Sequence, residues 1–152
     1  MRATSRMTGA SINTVSKLLV DAGKACAEYH DETVSNVKSE RIQCDEIWSF
    51  TYAKDKNVKA AKAAPSWPGD TWTWTGIDAD SKLIISYLVG GRDGGFAMDF
   101  MQDVADRVAN GLHVQITTDG LKAYLEATEA AFGGRADYAQ LIKLYGPAPE
   151  GL

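Results

Sequence analysis

At 152 residues, with 45% hydrophobic and 24% charged side chains, the chain is long enough for one packed domain and a small appendage. A net charge of -4 and a pI of about 5.1 exclude a protein that coats nucleic acid by bulk electrostatics. The charge is uneven: residues 1–62 hold 10 basic and 8 acidic groups and residues 63–152 hold 6 and 12, so any nucleic-acid contact would start in the N-terminal third, whereas the acidic remainder argues against broad phosphate binding and suits a divalent cation.

The first elements read as helical. Arg2 to Met7 forms a short helix, Thr8-Gly9-Ala10-Ser11 a tight turn, and Ser11 is placed to cap the helix that follows. In that second helix Ile12, Val15, Leu19 and Ala22 recur at helical spacing, with Asn13, Thr14 and Lys17 on the polar face. Helix, glycine turn, helix is the helix-turn-helix pattern, and residues 1–30 read as its remnant. Residues 31–40 are charged and polar and read as a linker.

Arg41 to Tyr52 reads as a strand, with Ile42, Cys44, Trp48 and Phe50 as its apolar members. Trp48 is expected in the core. Asn57 to Asp70, with Pro65 and Pro68, reads as a loop; Lys54, Lys56, Lys59 and Lys62 make this region basic. Trp72–Ile77 and Lys82–Val89 form a hairpin around Asp78-Ala79-Asp80-Ser81, with Trp72 and Trp74 on one face. Phe96 to Asn110 is an amphipathic helix with Ala97, Phe100, Met101, Val104 and Val108 inward, capped by Asp93. Val114–Thr118 is a short buried strand running into Asp119-Gly120. Leu121 to Phe132 is a helix with Leu121, Tyr124, Leu125 and Thr128 inward, Tyr138 to Leu144 a last short strand, and residues 147–152 a tail. A hairpin followed by alternating helix and strand makes residues 41–146 an α/β domain with a mixed sheet.

Cys26 and Cys44 form no CxxC pair, and neither a secretory signal nor a membrane-length apolar run is present, so reduced thiols in the cytoplasm are expected. Cys26 and His30 share a helix face, but a zinc site needs about four ligands and packing is the better reading. His113 reads as a surface or edge residue.

The chemistry-bearing residues are Asp45, on the first strand, and Asp119, at the end of the fourth. Carboxylates from two strands can converge on one divalent metal, and hard Mg²⁺ takes carboxylate oxygens. Glu46 adjoins Asp45, but strand alternation sends it to the other face, and a structural role is expected for it.

Asp45-Glu46-Ile47-Trp48, Thr117-Thr118-Asp119-Gly120 and the Trp72 to Gly91 hairpin, together with the N-terminal helices, resemble the DDE-type transposases of bacterial insertion sequences, of the insertion-sequence-one family. The resemblance spans nearly the whole chain. It implies a ribonuclease H-like fold in which the first and fourth strands are neighbours. It also implies Asp45 and Asp119 as catalytic metal ligands for Mg²⁺ or Mn²⁺, and DNA contact through Asn13, Thr14 and Lys17. The implied partners are transposon-end and target DNA and further copies of the chain, and the implied chemistry is phosphodiester hydrolysis followed by strand transfer. The family's third acid, a Glu on a helix after the fifth strand, has no counterpart: Glu126 and Glu129 read as solvated and Glu150 as part of the tail. The sequence thus reads as a ribonuclease H-like domain shortened at both ends and catalytically incomplete. The alternatives are a non-catalytic DNA-binding or regulatory remnant and a generic ribonuclease H-like nuclease.

Overall fold

The computed structural model describes residues 1–59, 65–142 and 146. Lys62, Leu144, Glu150 and the 147–152 tail lie outside these residues. The chain divides into two compact units, Met1–Ser35 and Asn36–Leu152.

The first unit holds helices α1 (Arg2–Thr8) and α2 (Ile12–Thr33). Gly9 takes the left-handed conformation, φ 73°, at the end of α1, and the Ser11 side chain accepts from the Thr14 amide at the start of α2. The turn therefore forms as its residues dictate. The expected apolar face does not become a core: neither helix has a buried residue, and Ile12 and Leu19 are 41% and 61% exposed. Two helices alone supply no third surface to close over that stripe. The helix also runs three residues into the segment read as linker, ending at Thr33. Beyond it, Val37 bridges to Val108 and Ser39 is buried.

The second unit is built on a five-stranded mixed sheet. Its strands are β1 (Arg41–Thr51), β2 (Gly69–Asp78), β3 (Ile84–Gly90), β4 (Val114–Thr118) and β5 (Ala136–Gln140), in the order β3-β2-β1-β4-β5. β1 pairs antiparallel with β2 and β2 with β3, whereas β1–β4 and β4–β5 are parallel. Three helices accompany them: α3 (Asp55–Val58), α4 (Gly94–Arg107) and α5 (Ala123–Phe132). This arrangement is compatible with a ribonuclease H-like fold.

Strand alternation sorts the sheet into a covered and an open face. Ile42, Cys44, Trp74, Ile85, Val114 and Ile116 pack with Ala97, Phe100, Met101 and Val104 of α4 and Tyr124, Ala127 and Phe132 of α5. Trp74 is fully buried, its ring centroid 5.8 Å from Phe100 and 5.4 Å from Tyr124. Asp93 caps α4 through bonds from the Gly95 and Phe96 amides, as its position predicts. On the open face Ile47, Tyr87 and Val89 are exposed.

Two expectations about packing are corrected. Trp48 is 39% exposed rather than in the core, lying against Phe50 with Lys54 Nζ 4.7 Å from its ring centroid. β1 runs well past the end of β4 there, and Trp48 pairs only with Trp72 of β2. Leu125 is 60% exposed, while the buried residues of α5 are Tyr124, Ala127, Thr128 and Phe132.

Candidate metal centre

Asp45 and Asp119 come together because β1 and β4 are parallel neighbours. The paired register ends at Cys44 opposite Thr118, which puts the next residues, Asp45 and Asp119, side by side. Beyond this point β4 has stopped while β1 continues to Thr51, so the β4 side of β1 lies open.

That gap also admits Glu46. Alternation holds, since Asp45 is exposed and Glu46 buried on the covered face. Yet one carboxylate oxygen from each of Asp45, Glu46 and Asp119 lies within 4.8 Å of the others. The separation of Glu46 from the aspartates expected from sequence is therefore corrected: where β1 has no β4 neighbour, side chains from its two faces converge past the strand edge. Among the described residues these three form the one group of His, Cys, Asp or Glu side chains able to hold a metal ion. Cys26 is a free, exposed thiol and joins no such group.

The donor set fits a divalent ion unevenly. Oxygens on opposite sides of an ion lie about 4.2 Å apart for ligand distances near 2.1 Å and about 5 Å apart near 2.5 Å, a range that includes the cluster's 4.8 Å. Asp45 Oδ1 accepts from the Glu46 amide at 2.8 Å, and Asp119 Oδ1 accepts from the Leu121 amide at 2.9 Å. Each aspartate is thus oriented by one backbone bond; among the described residues the second oxygen makes no hydrogen bond, although Asp119 Oδ2 lies 3.6 Å from Arg92 Nη2 in a long ion pair. Glu46 is different: Oε1 accepts from Arg92 Nε at 2.7 Å and Oε2 from the Tyr124 hydroxyl at 3.2 Å.

Burial governs the local electrostatics. Desolvation raises the Glu46 pKa above the usual carboxylate range, opposed by its bond from Arg92. The same effect, helped by the charges of Asp45 and Glu46, pushes the Cys44 thiol up to about 12. Burial raises the Tyr124 hydroxyl as well, which keeps it a proton donor to Glu46.

A groove of about 670 Å³ opens over the aspartates on the uncovered face, with Gln43, Thr75, Ile77 and Thr117 in its floor and Leu141 and Ile142 at its side. Asn13, Thr14 and Lys17 belong to the other unit, where all three are exposed and Lys17 Nζ pairs with Asp21 at 2.5 Å. Glu126 and Glu129 are exposed, as expected, and His113 pairs with Asp137 at 3.2 Å on the surface.

Sequence reasoning passed over Arg92 and Trp72. Arg92 lies in Gly90-Gly91-Arg92-Asp93-Gly94-Gly95, between the hairpin and the helix that Asp93 caps, and the sequence assigned it no role. A lone arginine in a glycine run was the available signal; its meaning depends on the register that brings β3 and β2 beside β1. Neither the protein-family models nor the curated proteins contain a match to the chain.

Proposed function

We propose that this chain acts in metal-dependent phosphodiester chemistry on DNA, as the core of a DDE-type insertion-sequence transposase. The observation that carries the reading is the meeting of Asp45 and Asp119 at the open edge of two parallel strands. The sheet order and strand directions support a ribonuclease H-like core, and the Asp45-x-x-Trp48 and Asp119-Gly120 contexts support the family.

In this reading Asp45 and Asp119 hold Mg²⁺ or Mn²⁺ through their outward oxygens. A divalent ion held by these two carboxylates would supply Lewis-acid polarisation of a phosphodiester and of the attacking oxygen. The chain's own contribution is orientation: the Glu46 and Leu121 amides fix the two carboxylates, and the groove admits a polymer backbone beside them. Asn13, Thr14 and Lys17 serve as DNA contacts on α2, with transposon ends and target DNA as partners and further copies of the chain assembling on them. Among the described residues no helix is long and apolar enough to cross a membrane.

One observation favours a second reading. Both oxygens of Glu46 are already hydrogen-bonded, which leaves Asp45 and Asp119, the latter also 3.6 Å from Arg92, where the family uses three acids. On that reading the chain binds metal and DNA but does not cut. Nicking of supercoiled plasmid with Mn²⁺, beside Mn²⁺ binding followed by electron paramagnetic resonance, separates the two. Transposase chemistry predicts nicking that Asp45→Asn and Asp119→Asn each abolish. Mn²⁺ binding without nicking selects the second reading, and cleavage confined to RNA–DNA hybrids selects a generic ribonuclease. If wild-type protein binds no Mn²⁺, the metal centre itself is refuted.

A further inference from the structure

Arg92 is held at the metal centre by contacts on every side but one. Its backbone is pinned first: the Trp74 indole donates to the Gly91 carbonyl at 2.9 Å, and Asp93, the next residue, caps α4. Its guanidinium is held next. Nε donates to the buried Glu46 carboxylate at 2.7 Å, and the group stacks on Trp72 with its central carbon 4.5 Å from the ring centroid.

What remains is the fork of the guanidinium. Nη2 lies 3.6 Å from Asp119 Oδ2, beyond hydrogen-bond distance. Among the described residues the two Nη groups make no hydrogen bond, and the side chain is 37% exposed. A planar guanidinium with one edge anchored, one face over an aromatic ring and its two Nη groups outside any hydrogen bond, Nη2 being only in a long ion pair with Asp119, is organised in advance to receive two oxygens of a phosphate.

We propose that Arg92 is the phosphate-binding residue of this site, and that Glu46 is its positioning residue rather than a metal ligand. The proposal rests on the metal-dependent reading and deepens it by dividing the acidic cluster into two tasks. Asp45 and Asp119 serve the cation, while Glu46 holds the arginine that takes the phosphodiester backbone beside it. Glu46 suits that task because its two oxygens are both committed, one to Arg92 and one to Tyr124. Trp72 suits it because a stacked ring holds the guanidinium plane without using any of its donors.

The test uses the full chain, a short fluorescein-labelled DNA duplex and Ca²⁺ to suppress cleavage, with Mn²⁺ binding measured separately. Arg92→Gln is expected to weaken duplex binding about tenfold, the scale of a charge-assisted contact, and to lower the salt slope by about one. It is expected to leave Mn²⁺ binding in place. Glu46→Gln is expected to keep Mn²⁺ binding yet also weaken the duplex. Should Arg92→Gln fail to fold because Glu46 loses its partner, Arg92→Lys carries the affinity arm of the test, since it loses the fork while keeping the charge, and its salt slope is expected to stay as in the wild type.

Unchanged affinity and salt slope in the folded arginine variant overturn the proposal. So does tighter Mn²⁺ binding with unchanged DNA binding, which would make Arg92 a plug in the metal site. Loss of Mn²⁺ binding in Glu46→Gln overturns the role given to Glu46. Absence of Mn²⁺ binding in the wild type, with Arg92→Gln still weakening DNA, fails the metal reading and leaves the phosphate contact standing.

Discussion

Asp78 and Glu46 are both buried acids, and their neighbours send them in opposite directions. Asp78 Oδ1 accepts from the Ser39 hydroxyl at 2.6 Å, and Oδ2 accepts from the Ser81 amide at 2.8 Å and from the Ser81 hydroxyl. These bonds, the Ser39 hydroxyl first, hold the Asp78 carboxyl down at about 2. A carboxyl lowered on folding adds stability above its unfolded pKa, about 3.9, and loses that stability as pH falls towards the folded value. Folding free energy measured by urea titration should therefore fall between about pH 4 and pH 2. Asp78→Asn should lower stability at pH 7 and flatten that acid limb; parallel curves for the two proteins would falsify the assignment. Glu46 differs because its desolvation outweighs the bonds from Arg92 and Tyr124. The sequence places Glu46 on a strand and Asp78 at the start of a hairpin turn; the Ser39 and Ser81 donors and the Arg92 partner are supplied by the fold.

At the scale of elements, the β3–α4 connection decides where Arg92 stands. The Phe96 ring lies against the backbone of Gly90 and Gly91, where a methyl group at Gly90 would overlap the ring and one at Gly91 would come within 2.8 Å of it. Gly90→Ala should therefore cost about 1–3 kcal/mol, the range for overpacking a tight site. In a Phe96→Ala background the same change should cost little, because the overlapping ring is gone. Additive losses across that double-mutant cycle would remove the steric explanation. Elements whose pattern is internal were legible beforehand. The core-facing residues of α4 repeat at helical spacing and Asp93 caps them, and Val114–Thr118 appears as read. What was not legible depends on neighbours. Glu46 was assigned to the correct face, but its approach to the aspartates follows from β4 stopping opposite Cys44. Trp48 looks like a core residue in any strand, and it is the length of β1 beyond the end of β4 that leaves it uncovered. Leu125 was misplaced because the buried face of α5 is set by Tyr124, Ala127, Thr128 and Phe132, and that face leaves Leu125 outside it.

For the whole molecule, burial divides the two units sharply. The second unit carries the core, with Ile42, Ile116, Trp74 and Tyr124 at most 1% exposed. The first unit holds a 22-residue helix with no buried residue. Tertiary burial supplies most of the stability of helices in proteins, and α2 has none to draw on. Local opening of α2 should therefore require far less free energy than opening of β1 or β4. Hydrogen exchange reads that difference residue by residue. Amides from Asn13 to Thr33 should exchange well before those of Ile42, Cys44 and Ile116, which should persist until global unfolding. The DNA-contact role proposed for Asn13, Thr14 and Lys17 adds a second arm. A duplex that engages this face should slow exchange in α2 and leave β4 unchanged, and Asn13→Ala with Lys17→Ala should erase the slowing. Exchange in free α2 as slow as in β4 would mean that its apolar stripe is covered in solution. Slowing that survives both substitutions would move DNA contact away from this face of the helix.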